Sequence, residues 1–164
     1  MSHEQKIQIR PAASGDIPQI RRFILALAEF EKLAHEAVLT EEGLRTTLFC
    51  AKPTAEVVIA EHSGAPVGFA LFFHNYSTFL AKPGIYLEDL FVLPEKRNLG
   101  VGLALFEYLA KLANTRGCGR FEWSVLDWNE NALRFYRRLG AVPMSEWTVQ
   151  RLTGEALEKF GRLA

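Results

Sequence analysis

The segment YLEDLFVLPEKRNLGVG, residues 86–102, sets narrow limits on what the chain can fold into. Its first half is an apolar run that carries two acids, Glu88 and Asp89, and stops at Pro94. A charged turn follows, then Arg97-x-x-Gly100-x-Gly102, then a stretch whose apolar residues have helical spacing. Strand, glycine-bearing loop and helix N-terminus in that order gather backbone N–H groups, and the helix dipole adds to their attraction for an anion. The loop lacks the Gly-Lys-Ser/Thr ending of an ATP- or GTP-hydrolysing loop. Gly100-x-Gly102-x-x-Leu105 also lacks the third small residue of a dinucleotide fingerprint. Taken by themselves the residues leave two readings, a cradle for a pyrophosphate flanked by Arg97, or a tight turn with Arg97 in solvent.

A chain of 164 residues, 49% apolar and 23% charged, fits one domain spanning residues 1–164 with a core of its own. Its 19 Lys and Arg residues balance 19 Asp and Glu residues, so neither nucleic acid nor a membrane surface is expected as a partner. MSHEQKIQIR has no apolar core of a signal peptide, and no run approaches the length of a membrane span, so a cytoplasmic location is expected. Cys50 and Cys118 are too few and too far apart for a disulfide framework. His35, His62 and His74 lack ligand spacing, so no metal is expected.

Hydrophobic periodicity predicts a strand over Lys6–Arg10, then a helix capped by Ser14 or Asp16 and running to about Leu33. A shorter helix follows Thr40, from Glu41 to about Phe49. Glu56–Glu61 and Val67–Phe73 read as an antiparallel hairpin, residues 75–84 as a loop, and Ile85–Val92 as a central strand covered on both faces. A helix from Gly100 to about Arg116, a strand over Phe121–Leu126 and a helix capped by Asn129 and stopped by Gly140 complete the main pattern. A last strand, Trp147–Leu152, and a short helix, Thr153–Phe160, close the chain. The fold class is α/β (α+β), a mixed sheet flanked by helices.

Arg97-x-x-Gly100-x-Gly102 after YLEDLFV, and Trp128-Asn129-Glu130-Asn131 before Phe135-Tyr136-Arg137-Arg138-Leu139-Gly140-Ala141, resemble the acetyl-CoA-binding motifs of GCN5-related N-acetyltransferases. The likeness covers nearly the whole chain. Within that superfamily the chain is similar to the diamine acetyltransferases and closer to their thialysine-acetylating relatives, through Phe30-Glu31-Lys32-Leu33, Asn75-Tyr76-Ser77-Thr78, Tyr86-Leu87-Glu88-Asp89 and Val125-Leu126-Asp127-Trp128-Asn129. The resemblance implies that Leu90, Phe91 and Val92 offer main-chain groups to the pantetheine arm. Arg97, Asn98, Leu99, Gly100, Val101, Gly102 and Leu103 would wrap the pyrophosphate, with Asn129, Asn131, Ala132 and Tyr136 on the arm's other side. It also implies a homodimer.

Acetyl transfer to an amine needs a base for the amine and an acid for the departing thiolate. A carboxylate within an apolar strand has a raised pKa, which makes Glu88 the expected base. Strand alternation sends Asp89 to the opposite face, where it is expected to bind a positive acceptor. The resemblance implies that Tyr136 is the acid, and that Phe30, Glu31, Glu88, Asp89 and Trp147 meet the acceptor. Polyamine enzymes carry an acid in the loop where this chain reads Tyr76-Ser77-Thr78-Phe79, so a lysine-like amino acid or short diamine is expected over a long polycation. The rival readings are a polyamine, a protein or peptide amine as acceptor, and a CoA-binding sensor without catalysis.

Overall fold

Alternating β-branched and aromatic residues build a sheet of five strands in chain order, β1 (Ile7–Pro11), β2 (Glu56–His62), β3 (Ala65–Ser77), β4 (Lys82–Val92) and β5 (Arg120–Trp123). The structure is a computed structural model describing residues 7–162. Lys6, expected to open the first strand, and the leader reading of residues 1–6 lie outside them. All neighbours are antiparallel except β4 and β5, which are parallel. A parallel pair needs a crossover, and α3 (Val101–Thr115) supplies it. The other helices are α1 (Ile17–Phe30), α2 (Glu41–Leu48), α4 (Glu130–Arg138) and α5 (Gly154–Gly161). The chain divides into two compact units, residues 1–124 and 125–164.

In the first unit, α1 buries Ile17, Ile20, Phe23 and Leu27 against Val57, Ile59, Phe69 and Phe91, with Leu44 of α2 beside them. Phe23 lies parallel to Phe69 at 5.6 Å between centroids and tilted to Phe91 at 6.0 Å. Burying an aromatic of this size contributes roughly 2–3 kcal/mol. None of the α3 residues belongs to this cluster. α3 packs instead on β1, β3, β4 and β5, where Phe106 meets Trp123 edge-on at 4.9 Å. The two helices thus cover opposite faces of the sheet.

Helix ends follow the local chemistry of the sequence. Thr40 Oγ1 accepts the Gly43 N–H at 3.0 Å and starts α2. Asp16 precedes α1 but does not cap it; its carboxylate binds the Arg10 guanidinium at 2.7 Å and the Ala13 N–H at 2.8 Å. α1 ends at Phe30, three residues before the expected Leu33. The Leu33 N–H turns back to the Ala28 carbonyl and the Lys32 N–H to that of Glu29. This Schellman closure places Lys32 at φ +64°, where glycine is usual.

Three further expectations differ, the first being that the strand expected over Phe121–Leu126 ends at Trp123. Residues 75–84, expected as a loop, extend the sheet: Asn75 pairs with Gly84, Tyr76 with Pro83 and Ser77 with Lys82, so β3 and β4 form one long hairpin. Trp147–Leu152, expected as a strand, joins no strand among the described residues.

Candidate active site

The register of β4 changes once. Asp89 lies opposite Leu71, but Leu87 lies opposite Phe72, leaving Glu88 as the extra residue of a β-bulge. A bulge re-aims the side chains that follow it. Leu71 and Phe91 belong to the α1 side of the sheet, whereas Leu87 and its partner Phe72 do not. The simple alternation expected for this strand therefore fails at Glu88. Past the bulge, Asp89 turns with Phe91 toward the end of α1.

That end carries Phe30 and Glu31. Burial holds the Glu31 carboxyl above its ordinary pKa. Asp89 is half-buried, and its pKa rises to about 6, first through burial and then through the charges of Glu88 and Glu31. Three acids from two elements thus share one field. Glu88 itself is exposed at the bulge, and the half-buried acid is its neighbour Asp89.

Directly after the acids, one side of β4 is open, with no strand partner among the described residues. Pairing with β5 ends at Leu87 opposite Trp123. The Leu93 N–H donates to the Val67 carbonyl at 2.9 Å, so the main-chain groups of Leu93 face β3. Those of Leu90 and Val92 point the other way. On that side Arg97 Nε donates to the Val92 carbonyl at 3.2 Å. The Arg97 guanidinium rests 4.8 Å from the centre of the Phe30 ring and 5.9 Å from that of Phe91. The expected phosphate-side arginine thus also touches the expected acceptor-side Phe30.

Beyond Arg97, Asn98 at φ +64° and Gly100 at φ +84° turn the chain into α3. The Ala104 N–H is bonded to the Gly100 carbonyl at 2.9 Å. The preceding N–H groups, those of Val101, Gly102 and Leu103, belong to the first turn, which has no earlier helical carbonyl to bind. No side chain caps this end. Among the described residues, a Cβ added at Gly102 would meet no atom within 4 Å outside its chain neighbours and its own helix backbone. An open approach, orphan N–H groups and a nearby Arg97 suit an anionic group.

A model of the acetyltransferase (GNAT) family matches residues 24–141, from α1 through the loop and past α4. The chain belongs to that family. An L-ornithine N5-acetyltransferase of Arabidopsis thaliana is 35% identical, the match covering 98% of this chain and 90% of the relative. A thialysine N-epsilon-acetyltransferase of Mus musculus is 37% identical over 93% of this chain and 96% of its own length. An integron cassette protein from the mobile metagenome of V. cholerae has the same fold, with TM-score 0.80 and 24% identity over 95% and 98% of the two chains. The chain is an N-acetyltransferase, and acetyl-CoA is the cofactor this family uses. The residues found here fit it: the open face of Gly102 and the uncapped turn suit its pyrophosphate, and the Leu90 and Val92 edge suits an amide-bearing arm.

In the acetyltransferase's second unit, Asn129 Oδ1 caps α4 by accepting the Ala132 N–H at 3.2 Å. Asn131 Oδ1 accepts from Arg134. Tyr136 lies two turns along α4, its ring 5.6 Å from that of Phe135, and Trp147 is exposed beyond the helix. In the first unit, Ser77 ends β3, six residues past Leu71, so it stands roughly 20 Å along the strand from the acids. Its buried hydroxyl accepts the Leu80 N–H at 3.3 Å. An acid at this position would therefore stand far from the acid cluster along the strand. The sequence reading missed the bulge and the burial of Asp89; the only signal for either was the Glu-Asp pair interrupting an apolar run.

Proposed function

We propose that this acetyltransferase carries the acetyl group of acetyl-CoA to the primary amine of a small cationic molecule, a lysine-like amino acid such as thialysine or a short diamine. The observation that carries this reading is the gathering of Glu31, Glu88 and Asp89 at the end of α1 and the bulge of β4. Three acids in one field attract an ammonium group. The activities named for the two relatives, on ornithine and on thialysine, support an amino acid with a side-chain amine.

Bound at the loop, acetyl-CoA supplies an activated acetyl thioester. Arg97 and the N–H groups of Asn98 to Leu103 hold its pyrophosphate. Leu90 and Val92 pair with its arm, and the N–H at Leu90 polarises the reacting carbonyl. On the resemblance, Asn129, Asn131 and Ala132 take part in cofactor binding. On the same resemblance, Tyr136 would give a proton to the departing sulfur, and Phe30 and Trp147 would meet the acceptor. The acceptor attacks directly, with both substrates bound.

The whole chain is proposed to act as one catalytic domain, a reading supported by a family match that runs across the boundary between its units. A homodimer is proposed as well, and light scattering tests it: a monomer mass removes it. Free Cys50 and Cys118 suit a reducing cytoplasm.

The deciding experiment offers acetyl-CoA with thialysine, lysine, ornithine, short diamines, spermidine and a peptide N-terminus, and follows CoA release. The amino acids or short diamines are expected to lead. Spermidine or the peptide in first place overturns the small-amine reading. Tyr136→Phe is expected to lower turnover by about 10²-fold with the fold intact; unchanged turnover removes Tyr136 as the acid.

A further inference from the structure

Resting on the amine-transfer reading just given, we propose that Asp89, and not Glu88, is the catalytic residue that takes the proton from the acceptor amine, while Glu31 and Glu88 hold the ammonium in place.

The bulge separates the two neighbours in kind. Glu88 is the residue without a cross-strand partner, and it stands in solvent. Asp89 is fixed in register opposite Leu71 and carried to the α1 face with Phe91, which is fully in the core. It is also the residue directly before Leu90, whose main-chain groups face the open side of the strand. A short side chain at that point has few rotatable bonds with which to leave the acetyl position, which suits a base that must be held in one geometry.

The surroundings of Asp89 reinforce this placement. From the end of α1, Glu31 faces it, and within β4 Glu88 adjoins it; both raise its proton affinity. On β3 the opposing position is Leu71, flanked by Ala70 and Phe72, none of which titrates. The nearest loop cation, Arg97, is engaged with the Val92 carbonyl and the Phe30 ring. A carboxyl poised at about 6 is ionised at neutral pH and still accepts a proton far more readily than an exposed aspartate.

The bound ammonium gives one proton to the Asp89 carboxylate, and the freed lone pair forms the C–N bond to the acetyl carbon. The C–S bond breaks, the sulfur keeps the electron pair and gains a proton, and the nitrogen loses its second proton. Asp89 releases its proton to water. The net products are the acetamide, CoA as the thiol and one proton.

The test is the pH dependence of kcat/KM for the best acceptor, in the wild type, Asp89→Asn and Glu88→Gln. The wild type is expected to lose activity tenfold per pH unit below about pH 6. Asp89→Asn is expected to lose at least 10²-fold in kcat and to lack that acid limb, with circular dichroism and CoA affinity unchanged. Glu88→Gln is expected to keep the limb and to raise the KM of the amine. A limb that survives in Asp89→Asn and vanishes in Glu88→Gln overturns the assignment, as does an Asp89→Asn variant that changes KM alone. A second measurement needs no turnover: carbon-13 titration of the labelled side-chain carboxyls. It is expected to give one resonance with a midpoint near 6 that Asp89→Asn removes; no such resonance overturns the proposal even if every amine fails as an acceptor. Failure of every amine in the wild type, with the resonance present, instead overturns the amine-transfer reading and the role given to Asp89 within it.

Discussion

Among the described residues, a methyl group at residue 102 would meet no atom within 4 Å outside its chain neighbours and its own helix backbone, and the backbone there is helical. The fold thus has no need of a glycine at this position, since alanine is the better helix former by up to about 1 kcal/mol. Gly102→Ala is expected to leave the melting temperature unchanged or raise it, while the KM for acetyl-CoA rises on the order of tenfold, about 1.4 kcal/mol of binding. Thermal unfolding and initial rates on one sample decide it; an unchanged KM would mean the pyrophosphate lies elsewhere. Gly100, at φ +84°, behaves differently, because alanine there costs about 1–2 kcal/mol in any bound state. The sequence made both glycines conspicuous, but spacing cannot say which serves the backbone and which the ligand. Arg97 was legible as a loop cation for the same reason, whereas its perch on Phe30 depends on where α1 ends, and that end is set by the left-handed Lys32, which no periodicity announces.

Among the elements, the pairing of β3 with β4 carries the most of the site. Gly68 lies opposite Val92, and a Cβ on it would stand 2.6 Å from the Phe91 carbonyl oxygen, a backbone atom that cannot swing aside. Gly68→Ala is expected to force the strands apart there, lowering stability by roughly 1–3 kcal/mol and weakening CoA binding as the Leu90 and Val92 edge shifts. Urea unfolding and CoA titration measure the two effects; a variant of wild-type stability would mean the sheet yields at this point. The core faces of α1, β2 and the first half of β3 were readable because apolar residues recur there at helical or alternating spacing. The far half of the same hairpin was not. His74 to Ser77 and Lys82 to Gly84 are polar, small or proline, and their pairing is held by partners distant in sequence: Asn75 donates to Glu122 at 2.7 Å and the Gly119 N–H reaches the Pro83 carbonyl at 2.8 Å. The bulge was unreadable for a related reason. Alternation assumes a constant register, and one extra residue in β4 exchanges the faces of everything after it.

For the molecule as a whole, the site and the fold draw on the same free energy in opposite senses. Asp16 and Glu56 have pKa values lowered by hydrogen bonds from Arg10 and Arg116, so they stabilise the folded chain above the ordinary carboxylate range, and that support is lost as pH falls through their lowered values. Asp89 does the reverse. Its folded pKa of about 6 lies above the ordinary 3.8, so between the two values the folded state holds the proton that the unfolded state has released. Stability from this group falls as pH rises across that window and stays lower above it, by about 2–3 kcal/mol from a shift of this size. An amide in its place carries no charge to desolvate and none to repel Glu31 and Glu88. Asp89→Asn is therefore expected to be more stable than the wild type by about 2 kcal/mol at pH 8, with the difference shrinking toward zero as pH approaches 4. Urea midpoints at the two pH values measure it. A variant that is less stable at pH 8 would mean that Asp89 holds the fold together, whereas the expected gain would identify its burial as a cost the fold bears for the reaction.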